Sequence, residues 1–112
     1  MITIYHNTRC SKSRSALQIL EEQGVPYTVK LYLEKAVTRK QLESLLKKLK
    51  LQPSGLLRKG EDIYKELNNE ARTEEAWLVL MLAHPQLIER PIVVNGRKAI
   101  IARPPEKVLE IL

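Results

Sequence analysis

The sequence predicts an α/β fold, and three observations carry that expectation. A strand–helix–strand pattern fills residues 2–33, helical spacing dominates residues 38–88, and a hairpin followed by a helix fills residues 91–112. ITIY (2–5) is short, apolar and β-branched or aromatic, as a buried first strand should be. From Ser11 to about Gln23 the pattern is helical, with Ala16, Leu17, Ile19 and Leu20 apolar and Gly24 at the C′ position that a helix end favours. After Pro26, YTVKLYL (27–33) alternates like a second strand. A strand–helix–strand unit of this length implies parallel strands and a right-handed crossover.

Thr38-Arg39-Lys40-Gln41 matches a capping box, and Leu42, Leu45, Leu46 and Leu49 follow at i, i+3, i+4 and i+7. A helix over about 39–50 is therefore expected. Residues 53–66 read as short helical turns with Ser54 and Asp62 as candidate caps. Thr73 opens a further helix, whose 76–83 segment is apolar on every side and is expected to be buried. Pro91 precedes IVV (92–94), Asn95-Gly96 signals a type I′ hairpin turn, and KAIIA (98–102) is the returning strand. Pro104-Pro105 then begins a last helix through VLEIL (108–112). There is no repeat, low-complexity tract or linker, so residues 1–112 read as a single domain with a helical insertion at about 38–88. The order β-α-β, helical insert, β-β-α is the thioredoxin-like arrangement. That fold places a C-x-x-C motif, or a variant of it, where the first strand meets the first helix. Cys10-Ser11-Lys12-Ser13 stands there, with serine in the second cysteine position.

A chain of 112 residues can bury a core without disulfides or a structural metal, and its single cysteine excludes both an internal disulfide and a multi-thiolate metal site. No signal-peptide pattern opens the chain, and the longest apolar run has eight residues (76–83) against the roughly 20 of a membrane span. A reducing, cytoplasmic location is the expectation. The formal charge of +6 fits an anionic partner or a well-solvated surface, and position must decide between them. Aromatic residues at 4% offer no stacking surface for single-stranded nucleic acid.

Cys10 is the residue in the most suggestive place. A thiol reacts as its thiolate, and an ordinary pKa of about 8.5 leaves little of it ionised at neutral pH. A helix N-terminus, the cations Arg9, Lys12 and Arg14, and a hydrogen bond from Ser13 would each favour the anion. Burial as a small apolar residue is the competing reading, but the polar neighbours of Cys10 argue against it. Cations at helix starts are unfavourable, yet two helices here carry them: Arg9, Lys12 and Arg14 at the first, and Arg103 directly before Pro104 at the last. A bound oxyanion would compensate both. Arg90, at the entry to the third strand, belongs beside the cysteine in this fold, with a surface ion pair to Glu89 or another acid as the alternative. For Arg58 the residues alone argue nothing beyond exposure. His6 reads as a base or electrostatic partner of the thiol, as a group orienting the loop, or as an ordinary loop histidine. His6 and Cys10 lack supporting metal-ligand spacing, so no metal is expected.

YHNTRCSKSR, LLRKGEDIYKEL, LIERPIVVNG and ARPPEKVLEIL together resemble the glutaredoxin-linked arsenate reductases, the ArsC-like family. The resemblance covers nearly the whole chain, with the motifs in the family's order. It implies that Cys10 attacks arsenate and that Arg58, Arg90 and Arg103 hold the oxyanion. It implies that His6 helps keep Cys10 ionised, with Asn7, Ser13 and Arg14 as supporting groups. It further implies that glutathione attacks the adduct as co-substrate, that glutaredoxin removes the glutathione, and that arsenite is released, with no tightly bound cofactor. Thr8 stands where many relatives have proline, and the end at Leu112 resembles the short chromosomal branch. Two other functions stay open at this stage. One is an adaptor like the Spx regulators, which share the fold but typically carry C-x-x-C. The other is a general glutathione-dependent thiol oxidoreductase.

Overall fold

Strand β1 (Ile2–Tyr5) lies between two partners and thereby organises the sheet. It runs parallel to β2 (Tyr27–Lys30) and antiparallel to β3 (Ile92–Asn95), which pairs with β4 (Lys98–Ile101) to give the order β2-β1-β3-β4. Helix α1 (Ser11–Glu22) connects the parallel pair and turns its Ser13, Ala16 and Leu20 side inward. Ile2, Ile4, Ala16, Leu20, Val93, Ala102, Val108 and Ile111 form one buried apolar cluster. The computed structural model describes residues 2–68 and 72–112. It divides into two compact units, Met1–Lys35 with Arg90–Leu112, and Ala36–Glu89.

The parallel β1–β2 pair, α1 and the β3–β4 hairpin reproduce the thioredoxin-like pattern expected from the sequence. Three local expectations in this unit fail for identifiable reasons. The second strand stops at Lys30 because its partner stops: His6 N–H donates to the Lys30 carbonyl at 2.9 Å, and the Leu31 carbonyl then accepts from Glu34 and Lys35 in a local turn. The hairpin turn is Gly96-Arg97, since Asn95 still pairs with Lys98. Gly96 has φ +62° and Arg97 is not among the positive-φ residues, so the φ pattern is that of a type II′ turn and not type I′. The last helix is 3₁₀ over Pro105–Ile111, with the Lys107 N–H donating to the Pro104 carbonyl. Its buried residues Pro105, Val108 and Ile111 recur every three positions, and a three-residue turn stacks them directly on one side.

In the second unit, α2 (Arg39–Leu49) has the anticipated capping box between Thr38 and Gln41 and buries Leu42, Leu45 and Leu46. A 3₁₀ turn at Pro53–Leu56 and helix α3 (Asp62–Leu67) follow, with Gln52 and Glu61 rather than Ser54 and Asp62 in the N-cap positions and no capping hydrogen bond from either side chain. The Ser54 N–H is instead taken by Glu74 Oε1 at 2.9 Å. Thr73 caps α4 (Glu74–Ala83) as expected, but this helix is not buried all round. It packs Trp77, Leu78 and Met81 inward, towards the Pro53–Leu56 turn and a second one at Pro85–Leu87, and leaves Val79 49% exposed. An apolar run without a 3.6-residue period does not say which face is covered. Among the described residues no helix is long and apolar enough to cross a membrane.

Candidate active site

Register places the candidate residues of the first unit. Tyr5 is paired with Ile92, so the chain leaving β1 passes the segment just before β3. Ile92 is in turn paired with Ile101, which sets Arg90 and Arg103, each two residues beyond that pair, at the same end of the hairpin. Arg103 Nη1 donates to the Arg90 carbonyl at 3.0 Å, and both Arg–Pro peptide bonds, Arg90–Pro91 and Arg103–Pro104, are cis. Residues 6–10 cross this end and deliver Cys10 as the N-cap of α1, in extended backbone conformation.

The half-buried Cys10 thiol makes no ordinary capping hydrogen bond, yet its surroundings decide its charge. Burial pushes the thiol up. The Ser13 N–H, the Arg90 guanidinium and the Lys12 N–H act the other way and outweigh burial, so the pKa lies below the ordinary thiol value. These amides are the unpaired donors of a helix start, aimed where an anion would sit. The cation that matters is Arg90, only 8% exposed, and not the chain neighbours Arg9, Lys12 and Arg14. A buried guanidinium is screened far less than a surface one, which explains why distance along the chain misleads here.

Ser13 serves the sulfur through its backbone, because its hydroxyl is engaged elsewhere. Ser13 Oγ accepts from the Asn7 N–H at 3.1 Å and shares a 2.6 Å hydrogen bond with His6 Nδ1. Burial and the nearby Arg14 charge lower the His6 pKa, so His6 is neutral at pH 7. Asn7 also pins the loop: its Oδ1 accepts from the Arg9 N–H at 2.9 Å and its carbonyl from the Cys10 N–H at 3.1 Å. Arg14 Nη1 reaches the Thr8 carbonyl at 3.4 Å. Ser13→Ala strands two buried groups and should cost about 1–3 kcal/mol in urea unfolding. The pH midpoint of Cys10 alkylation should stay close to the parent's, since the amide remains; a large upward shift would return the role to the hydroxyl.

The first unit thus gathers His6, Asn7, Cys10, Ser13, Arg14, Arg90 and Arg103 around one loop. Glu89, next to Arg90 in the chain, accepts at its Oε1 from Arg58 Nη1 at 3.2 Å. Arg58 lies in the second unit, where Glu61 Oε1 also takes its Nε at 3.2 Å. It is three-quarters covered and doubly paired, against the exposure expected of it. The His6–Ser13–Asn7 hub was not anticipated from the residues, although a signal existed. Ser13 falls on the Ala16–Leu20 stripe at i, i+3, i+7, and a polar residue on a buried stripe needs a buried partner. Among the described residues no three His, Cys, Asp or Glu side chains come together as a metal site.

Comparison with known proteins agrees over the full chain. The ArsC family model matches residues 5–111. The uncharacterized protein YfgD of Escherichia coli K12 is 50% identical, covering 99% of this chain and 96% of that one. An arsenate reductase of Haemophilus influenzae is 44% identical over 99% of this chain and 98% of its own. The solved structure of an arsenate reductase from Vibrio cholerae superposes with a TM-score of 0.93 at 45% identity, covering 99% of this chain and 97% of the other. With its thioredoxin-like sheet and its cysteine at the start of α1, this chain belongs to the ArsC family.

Proposed function

We propose that this protein is an arsenate reductase that works through a Cys10 thiolate and draws its second thiol from glutathione, with glutaredoxin completing the cycle. The observation that supports the reading most is the thiol held below its ordinary pKa by two helix-start amides and by buried Arg90, with Arg103 bonded to the Arg90 carbonyl. A thiol held in this way reaches its anionic form more readily, and guanidinium groups at the same end suit a tetrahedral oxyanion. Cys10 attacks arsenic, a sulfur–arsenic bond forms, and one arsenate oxygen leaves as water after taking a proton. Arg90 and Arg103 balance the charge that accumulates on the remaining oxygens. For Arg58 the same role rests on the family resemblance alone.

Reduction of As(V) to As(III) needs two electrons, and one thiol supplies one of them on passing to a disulfide. Cys10 is the only thiol in the chain, so the other must come from outside. Glutathione, as a co-substrate rather than a bound cofactor, attacks the adduct at the Cys10 sulfur. A disulfide forms, the sulfur–arsenic bond breaks with its electron pair staying on arsenic, and arsenite is released. Glutaredoxin then takes over the glutathionyl group and restores the Cys10 thiolate. A reducing compartment such as the cytoplasm would supply both. The test is NADPH oxidation with arsenate, glutathione, glutaredoxin and glutathione reductase. Turnover should require arsenate, glutathione and glutaredoxin each in turn. Full turnover without glutathione or glutaredoxin would overturn the proposed thiol source, and NADPH use indifferent to arsenate would overturn the reductase reading.

A further inference from the structure

A cavity of about 260 Å³ opens beside the cysteine loop, between residues 6–9 and the turn that follows β2. It has a structural origin. The parallel strands β1 and β2 end at the same edge of the sheet, and after the His6–Lys30 hydrogen bond the two chain segments diverge. The space beyond the carboxyl ends of parallel strands is where open α/β sheets take ligands. Leu31 and Leu33 give the cavity an apolar wall, while Arg9 and Glu34 set opposite charges at its rim.

Those two charges are uncommitted. Arg9 is held through its backbone N–H by Asn7, and Glu34 through its backbone N–H by the Leu31 carbonyl. Among the described residues neither the guanidinium nor the carboxylate has a hydrogen-bond or ion-pair partner. A rim carrying both signs above an apolar wall disfavours a simple oxyanion, which Glu34 would repel. It suits a small zwitterion with a hydrocarbon middle. Pockets for drug-sized ligands run to roughly 300–1,000 Å³, so this one fits a ligand of about a short peptide's size and not a larger one.

We propose that this cavity seats glutathione for its attack on the Cys10 adduct, with Arg9 taking a peptide carboxylate, Glu34 the α-ammonium, and Leu31 and Leu33 the methylene groups between them. The proposal rests on the glutathione-dependent reading above and gives that reading a place in the fold. Arg9 directly precedes Cys10, and Asn7, another lining residue, accepts the Cys10 N–H through its carbonyl at 3.1 Å, so the loop that lines the cavity is the one that carries the reacting sulfur. It also accounts for Arg9, a cation at a helix start that the thiolate itself does not use.

The test separates binding from turnover. S-methylglutathione cannot react, so its binding to the full chain reads the cavity alone. Amide shifts on titration should move at residues 7–9 and 31–34, and affinity should fall about tenfold in Arg9→Ala and in Glu34→Gln, the loss of roughly one charge-assisted hydrogen bond. In the coupled assay the KM for glutathione should rise by a similar factor, whereas a small uncharged thiol such as mercaptoethanol should show no such rise. Shifts confined to another surface, or variants that bind the probe as the parent does, would overturn the cavity assignment even in a protein that reduces arsenate. Probe binding at this cavity in a protein without arsenate-dependent turnover would sustain the cavity and overturn the arsenate reading instead.

Discussion

Cys10→Ser should produce arsenite no faster than a protein-free control while unfolding in urea close to the parent. A serine hydroxyl ionises far above the pH at which a thiol does, and neither two amides nor one guanidinium supplies enough stabilisation to close that difference. The side chain is half-buried at an N-cap, a position serine favours, so the substitution should be neutral or mildly stabilising for α1. Arsenite separated by chromatography and counted against arsenate measures the loss directly. Residual turnover above the control would mean that another group attacks arsenic.

Arg90→Ala should have the next largest effect, because one side chain serves two steps. Its guanidinium hydrogen-bonds the Cys10 sulfur and adds a charge beside it, so removal raises the thiol pKa and shrinks the thiolate pool at neutral pH. The same cation is proposed to hold the oxyanion. A hydrogen bond to a charged group contributes roughly 1.5–3 kcal/mol, so each lost role lowers kcat/KM for arsenate by about 10- to 150-fold. The sign with pH follows: the parent's rate should rise as pH climbs through the depressed thiol pKa and level off above it, and the variant's rise should come at higher pH. Arg103 should stay in place, since its partner is the Arg90 carbonyl, which alanine retains. Arg90→Lys should recover part of the charge effect without the planar fork. An unchanged pH profile in Arg90→Ala would remove Arg90 from the thiolate's environment.

How far the sequence reveals this site depends on the range of the interactions involved. Local signals suffice for β1, α1, the Thr38 capping box and the Thr73 cap, each set by neighbouring residues. The end of β2 is not local, because a strand extends only as far as β1 accompanies it. The turn at Gly96-Arg97 shows the same limit: Asn95-Gly96 favours one turn, but pairing of Asn95 with Lys98 selects another. At the site, proximity in sequence points to Arg9, Lys12 and Arg14 as the thiolate's cations. The register of β1, β3 and β4 brings in Arg90 from 80 positions away instead. His6 is legible as a residue near the thiol, but its neutral state follows from burial to 5% exposure and from Arg14, neither of which the motif displays.

The rate of Cys10 alkylation by iodoacetamide as a function of pH, with and without arsenate, tests the central claim most directly, since the chain has no other thiol. The expected result is a midpoint clearly below the roughly 8.5 of an ordinary cysteine, with alkylation slowed when arsenate is present. A midpoint at or above that value, with arsenate making no difference, would contradict a thiolate held ready at an oxyanion site.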